Sequence, residues 1–259
     1  MKVINWNISY MNAAEPKIAY LDSIVEGNPF IAILQEMTPE QYSMFRKRYP
    51  NIRYSLDYRI PGKYDTRQRK LGIAIVASSD FHIEDARVLD RCLLPDRTLL
   101  VDLKNEDGLL LRIMGLHSIT GIDHKKAKSI QFLSFADAID LYRPDIVAFD
   151  ANEPKQDHFL VDKMVFFDNK DGGEGAHTFF RTLNDIGLSD TYLAHYDTKN
   201  FVPGEPLTMS HLIQLGDQKR RYDFVFARDT LRIADSEYHY KDSVKAGSDH
   251  ALNVVTIDE

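Results

Sequence analysis

Residues 145–152 read Asp145-Ile146-Val147-Ala148-Phe149-Asp150-Ala151-Asn152, an apolar run that ends in an acid and an amide. A short run of this kind predicts a buried strand over Asp145–Phe149 that delivers a carboxylate and a carboxamide at its end. A second run, Tyr222-Asp223-Phe224-Val225-Phe226, carries an acid inside apolar surroundings. A buried carboxylate is costly unless it is paired, so Asp223 requires a cation or a histidine from elsewhere in the chain.

Outward from these runs, strands are expected at residues 3–8, 30–34, 72–78, 98–103, 109–117, 222–227 and 251–257. Asp107-Gly108 signals a hairpin between two of them. A helix is expected from about Glu15, with Ile18, Leu21, Ile24 and Val25 at helical spacing and Gly27 and Pro29 as its stop. Thr38-Pro39-Glu40-Gln41 has the form of a capping box. Longer helical patterns run from about Asp123 to Tyr142 and from about Thr178 to Ile186, the second ended by Gly187. Strands thus alternate partly with helices and partly with hairpins. One α/β domain over residues 1–259 accommodates that pattern, as two mixed sheets packed face to face with helices outside.

The composition is that of an ordinary globular protein, with 44% hydrophobic and 27% charged residues among 259. No apolar run is long enough to cross a bilayer. Met1–Asn7 lacks the apolar stretch of a signal peptide and reads as the start of a strand. The lone Cys92 excludes an internal disulfide and a cysteine metal site, so a cytoplasmic location is the natural expectation; a monomer is expected beside it. A net charge of −7 argues against a passive nucleic-acid binder. It does not argue against an enzyme that gathers carboxylates around a metal, because the metal reverses their local charge.

Acids, amides and imidazoles recur at the strand ends. Ile31–Leu34 runs into Gln35-Glu36, Leu111–Leu116 into His117, the first strand ends at Asn7, and Ser248-Asp249-His250 precedes the last. Phosphate-ester hydrolysis needs a nucleophilic water, stabilisation of charge on phosphoryl oxygens and help for the leaving oxygen. A hard divalent cation on oxygen ligands supplies much of this, and a histidine held by a second carboxylate acts as acid, base or phosphate ligand. Taken singly, each residue has a plain structural reading: a loop acid, a turn-forming asparagine, a core histidine. The joint order of all of them is what points to chemistry.

That order resembles the endonuclease/exonuclease/phosphatase superfamily over nearly the whole chain. The resemblance rests on Asn5-Trp6-Asn7, Leu34-Gln35-Glu36, Gly72-Ile73-Ala74-Ile75, Gly115-Leu116-His117-Ser118, Asp150-Ala151-Asn152, Arg221-Tyr222-Asp223-Phe224-Val225-Phe226 and Ser248-Asp249-His250. It implies a four-layer α/β/β/α sandwich and a phosphodiesterase dependent on Mg²⁺, or on Mn²⁺ in its place. It further implies Glu36 as principal metal ligand with Asn7 beside it, and Asp249 as another ligand. Asp150 would position or deprotonate the attacking water, or hold a second metal; Asn152 would contact the scissile phosphate. His250, oriented and charged by Asp223, would bind phosphate or act as acid or base, and His117 matches the histidine of the deoxyribonuclease I and sphingomyelinase branches. Two departures stand out: Phe149 where the family has Gly, and Ser9 where the abasic endonucleases carry an acid.

Substrate clues are the basic, tyrosine-bearing stretch 53–70, including Arg69 and Lys70, and the cluster Lys219-Arg220-Arg221. Both suit a nucleic-acid backbone, with tyrosines to stack bases, and Arg69, Lys70 and Arg221 are the expected substrate contacts. The basic run His124–Lys128 opens a helix, where cations oppose the dipole; a solvated helix face is the plainer account of it. Residues 153–177 are expected to form a loop over the site. A nuclease is thus the first expectation. A phosphoesterase for a lipid, an inositol phosphate or another small ester is the second, and a non-catalytic scaffold the third.

Overall fold

The computed structural model describes residues 1–59, 70–105, 107–120, 125–167, 173–213 and 217–258. The first half runs β1 (Lys2–Asn7), α1 (Glu15–Val25), β2 (Phe30–Met37), α2 (Pro39–Arg48), β3 (Ile52–Tyr54), α3 (Ser55–Tyr58), β4 (Gly72–Ala77), β5 (Phe81–Arg87), β6 (Thr98–Asn105) and β7 (Leu110–His117). The second half runs α4 (Lys125–Tyr142), β8 (Ile146–Asp150), α5 (Gly175–Asp185), β9 (Leu188–Asp190), β10 (His211–Ile213), β11 (Gln218–Arg220), β12 (Asp223–Arg228), β13 (Ile233–His239), α6 (Tyr240–Lys245) and β14 (Leu252–Ile257). The capping box of α2 forms as expected, with Thr38 accepting from the Gln41 amide and the Gln41 side chain accepting from the Thr38 amide.

Two six-stranded sheets, ordered β13-β14-β1-β2-β4-β3 and β5-β6-β7-β8-β12-β9, make the centre of the molecule. Both are mixed: β1 pairs parallel to β2 and β7 parallel to β8, and each of these crossovers carries a helix. Strand alternation then assigns the cores. Val3, Ile31, Ile33, Ile75, Leu99, Val101, Ile113, Ile146, Ala148 and Val225 fill the space between the sheets. Ile4, Trp6, Ala32, Leu34 and Leu252 face the α1 and α2 side. Met114, Val147, Phe149, Phe224 and Phe226 face α4 and α5, where Phe132, Phe135, Phe179 and Phe180 complete an aromatic core. The order is therefore helix, sheet, sheet, helix.

The sheets pack closely at Gly115. A Cβ there would stand 2.8 Å from Ile33 Cγ2 and 3.0 Å from Ile73 Cγ2, so only glycine fits without movement.

Several elements gave no pattern in the sequence. β5 and β13 lie at sheet edges and carry charges on their outward positions, which erases the apolar run. β3, β9, β10 and β11 are three residues each, too short to show a period. The basic stretch 53–70 forms part of β3 and then α3 at its start, and residues 60–69, Arg69 among them, lie outside the described residues. Tyr54 is no base-stacking platform: it is buried, stacks on Tyr42 at 4.5 Å and donates its hydroxyl to the Met37 carbonyl at 2.8 Å. The loop expected over 153–177 gives way to α5 at Gly175. Among the described residues no helix is long and apolar enough to cross a membrane.

Candidate active site

Inner-face alternation carries the polar residues to one place. Val3 and Asn5 point between the sheets, and Asn7 continues that face; so do His117 after Ile113, Asp150 after Ile146 and Ala148, and Asp223 before Val225. Pairing brings these ends together: His117 aligns with Asp150, and Asp150 with Asp223. In the other sheet Asn7 aligns with Gln35, and His250 stands just before β14, which pairs antiparallel to β1. Asn5, one turn of the pleat inside, ties the sheets together by donating to the carbonyls of Phe149 at 3.0 Å and Phe224 at 3.2 Å.

Glu36 arrives differently. Leu34 pairs with Ala74 and Met37 with Gly72, so Gln35 and Glu36 together oppose the single Ile73. This bulge places Glu36 at φ +57°, a left-handed conformation unfavourable for glutamate. Gln35 keeps the inner face and donates to Asn5 Oδ1 at 2.6 Å, while the Glu36 carboxylate swings to 3.8 Å from His117 Nε2.

The cluster is tight. His117 Nε2 is 3.6 Å from Asp150 Oδ2, and His250 Nε2 is 3.9 Å from the same oxygen. Asn7 donates to Asp150 Oδ2 at 3.0 Å, and the Asn152 backbone amide donates to Asp150 Oδ1 at 2.9 Å. Asn152, at φ +48°, aims its amide nitrogen at the Ser118 carbonyl, 3.2 Å away. His250 Nδ1 meets Asp223 Oδ2 at 2.8 Å, which supplies the partner that the buried Asp223 requires.

The electrostatics follow from burial and proximity. Burial pushes the Glu36 carboxyl above its usual range, and Asp150 and Asp249 add to this. Burial pushes His117 down to about 3, with the Arg97 guanidinium acting in the same direction, so this ring is neutral. Burial also penalises the Asp150 carboxylate. The charges of His250 and His117 and the hydrogen bonds from Asn7 and Asn152 outweigh that, and Asp150 stays below the usual carboxylate range. Burial alone would lower His250, but Asp223 and Asp150 hold it up to about 10.

The donor set suits a hard cation. Carboxylate and imidazole atoms of Asp150, Asp223 and His250 lie within 4.8 Å of one another, as do those of His211, Asp249 and His250. Among the described residues nothing donates a hydrogen bond to the Glu36 carboxylate, a mostly buried acceptor that shares the cluster with the carboxylates of Asp150 and Asp249. A divalent ion on oxygen ligands is the group that such an arrangement fits. Asn7 is a less direct ligand, since its Oδ1 already accepts from the Ser9 amide at 3.0 Å. Asp249 is exposed, at the rim of the cluster.

Two expected substrate contacts fare differently. Lys70 is exposed just before β4. Arg221 is corrected: it is fully buried, bound through Nε and Nη2 to Asp157 at 2.9 and 3.2 Å and through Nη1 to Asp190 at 2.7 Å. No phosphate reaches a guanidinium already closed in by two carboxylates. Two neighbours gave no signal in the sequence. Arg97 Nη1 sits 3.1 Å from His117 Nδ1 and 3.2 Å from the Ser118 carbonyl. Lys17 is buried, donates to the Ser9 carbonyl at 2.6 Å, and is lowered to about 8 by burial against the pull of Asp249 and Glu36. A lone arginine in a connection and a lysine in a helix read as solvated in any sequence.

This architecture is the fold of the endonuclease/exonuclease/phosphatase superfamily. The chain is similar in structure to TDP2 of D. rerio humanised by 14 mutations, at 14% identity, covering 100% of this chain and 99% of that one with a TM-score of 0.67. The 3′ phosphatase NExo from Neisseria, bound to a product DNA hairpin, matches at 16% identity over 100% of both chains with a TM-score of 0.67. The mannosyl-6-phosphatase of Bacteroides thetaiotaomicron matches at 16% identity over 100% of both chains with a TM-score of 0.60. No family model matches the chain, and no curated protein matches it.

Proposed function

We propose that the protein is a divalent-cation-dependent phosphodiesterase that hydrolyses phosphate esters with an activated water. The observation that carries this reading is the convergence of Glu36, His117, Asp150 and His250, within 3.9 Å from group to group, from strands of both sheets. Glu36, Asp150 and Asp249, with Asn7 beside them, would hold Mg²⁺ or Mn²⁺, which supplies positive charge for the phosphoryl oxygens. Asp150, kept anionic, orients the water and takes its proton as the new P–O bond forms. Asn152 donates its amide to a phosphoryl oxygen. His250, protonated and held by Asp223, gives the proton of Nε2 to the leaving oxygen as the ester bond breaks. His117, neutral between Glu36 and Asp150, serves as a hydrogen-bonding group and not as a cation.

The substrate favoured is DNA or RNA, and the support is the likeness to TDP2 and to NExo with its bound DNA hairpin. A small phosphoester is the second reading. It is favoured by the likeness to a mannosyl-6-phosphatase and by the loss of Arg221 and Tyr54 as nucleic-acid contacts. A panel of single- and double-stranded DNA and RNA, phospholipids and phosphorylated sugars, assayed with Mg²⁺, tests both. Turnover of at least one class is expected, reduced by about 10²-fold or more in Asp150→Ala and in His250→Ala. Turnover equal to wild type in both variants would end the assignment of this site, and inert nucleic acids beside a hydrolysed sugar phosphate would move the substrate.

A further inference from the structure

Beneath Asn152 lies an ion pair whose presence stability does not explain. Lys128, in the first turns of α4, and Glu153, just past β8, are both buried, with Nζ and Oε1 2.9 Å apart. Lys128 Nζ also donates to the Asn152 carbonyl at 2.7 Å, and Glu153 Oε2 accepts from the Phe167 amide at 2.7 Å. Phe132 and Phe167 flank the ammonium at 6.0 Å each. Desolvating two charges offsets much of their attraction, and apolar residues of like volume often serve stability as well or better. What apolar residues do not offer is a directed donor to a particular carbonyl.

That carbonyl matters because of the strand end it belongs to. The Ser118 amide donates to the Asp150 carbonyl at 2.9 Å, and the Ser118 hydroxyl donates to the Ala151 carbonyl. The Ala151 amide donates to the Tyr222 carbonyl at 2.8 Å, and the Asn152 amide donates to Asp150 Oδ1 at 2.9 Å. Each of these bonds fixes the segment up to the Asn152 nitrogen. The Asn152 carbonyl is fixed by Lys128, across the left-handed turn at φ +48° that sets where the Asn152 side chain points.

We propose that Lys128, with Glu153 as its counter-ion, is a positioning residue that holds the Asn152 carboxamide in register with Asp150 for the reacting phosphate. The proposal rests on the reading of Asn152 as a phosphate contact and adds the device that aims it.

The test is a cycle on bis(p-nitrophenyl) phosphate with Mg²⁺. Lys128→Met/Glu153→Leu removes both charges together, so the variant leaves no orphaned ion; it does take a partner from the Phe167 amide and from the Asn152 carbonyl, so its melting temperature is expected to fall modestly while the variant stays folded. Its kcat is expected to fall about tenfold to a hundredfold with KM within about threefold, as a small misplacement of a reacting group does. In an Asn152→Ala background the same double change is expected to cost less than about twofold, because two residues that act through one another are not additive. Lys128→Arg, which keeps charge and donors, is expected to restore most of the rate; it is also the variant to compare with Lys128→Gln should the double variant fail to fold. An equal loss in both backgrounds, or wild-type kcat in the charge-free or Lys128→Gln variant, overturns the positioning role. Wild-type turnover in Asn152→Ala alone instead removes the reading beneath it.

Discussion

The imidazole of His250 stands with Nδ1 2.8 Å from Oδ2 of Asp223, and both side chains are buried. Asp223 opens β12 of one sheet and His250 stands just before β14 of the other, so this contact forms when the sheets are packed. Burial pushes Asp223 up to about 6, with His250 opposing that rise, while Asp223 and Asp150 hold His250 up to about 10 against its own burial. The pair is therefore ionised from about pH 6 to about pH 10 in the metal-free protein.

The pH consequence has a definite sign. His250 is raised above its ordinary 6.5, so its contribution to stability is complete below pH 6.5 and is lost as pH rises through about 10. Asp223 runs the other way: its folded value lies above 3.8, so its carboxylate form costs stability above that pH. In protein treated with chelator, imidazole ¹⁵N resonances of His250 are expected to titrate near pH 10. Asp223→Asn is expected to bring that titration down. A titration near 6.5 in the parent would show that the pair does not form in solution.

Glu36 supplies a metal prediction. Burial raises its carboxylate, with Asp150 and Asp249 adding to the rise and His250 opposing it, and no described residue donates a hydrogen bond to it. Mg²⁺ at 100 times its Kd is expected to raise unfolding free energy by about 2.7 kcal/mol. Calorimetric titration of Glu36→Gln is expected to show binding weakened by more than about tenfold. Equal affinity in parent and variant would place the ion elsewhere.

Arg221 predicts stability and not substrate affinity. Removing one partner of a buried ion network leaves uncompensated charge, and Arg221→Leu would strand Asp157 and Asp190. A loss of about 3–5 kcal/mol is expected by urea denaturation. A variant that folds with parental stability but binds substrate more weakly would restore Arg221 as a surface contact.

Gly115 marks a point of close packing between the sheets. Gly115→Ala puts a methyl 2.8 Å from Ile33 Cγ2, a branch carbon close to its own backbone. The expected cost is about 1–3 kcal/mol, with a parallel fall in activity because β7 also carries His117. An unchanged melting temperature would show that the sheets separate easily at this point.

Period and length made the central strands, the principal helices and the layered class readable. Burial of Ile146–Phe149 and of Phe224–Phe226 is written into runs of large apolar residues, and the capping box at Thr38 is a local motif with a local mechanism. The chain also displayed that Asp223 required a partner, since desolvation of a carboxylate depends on its own neighbours in sequence.

Which partner it found was decided by the packing of two sheets, because His250 lies 27 residues further on, just before β14 of the other sheet. The same holds for Glu36. Strand alternation assigns it to the helix side, and a one-residue bulge against β4 turns it back into the cavity. Arg221 and Lys128 show the limit most plainly, since a cation in a basic cluster reads as solvent-facing in any linear pattern. Whether it meets water or a buried carboxylate depends on what distant segments such as Asp157, Asp190 or Glu153 bring against it, and only the folded chain holds that information.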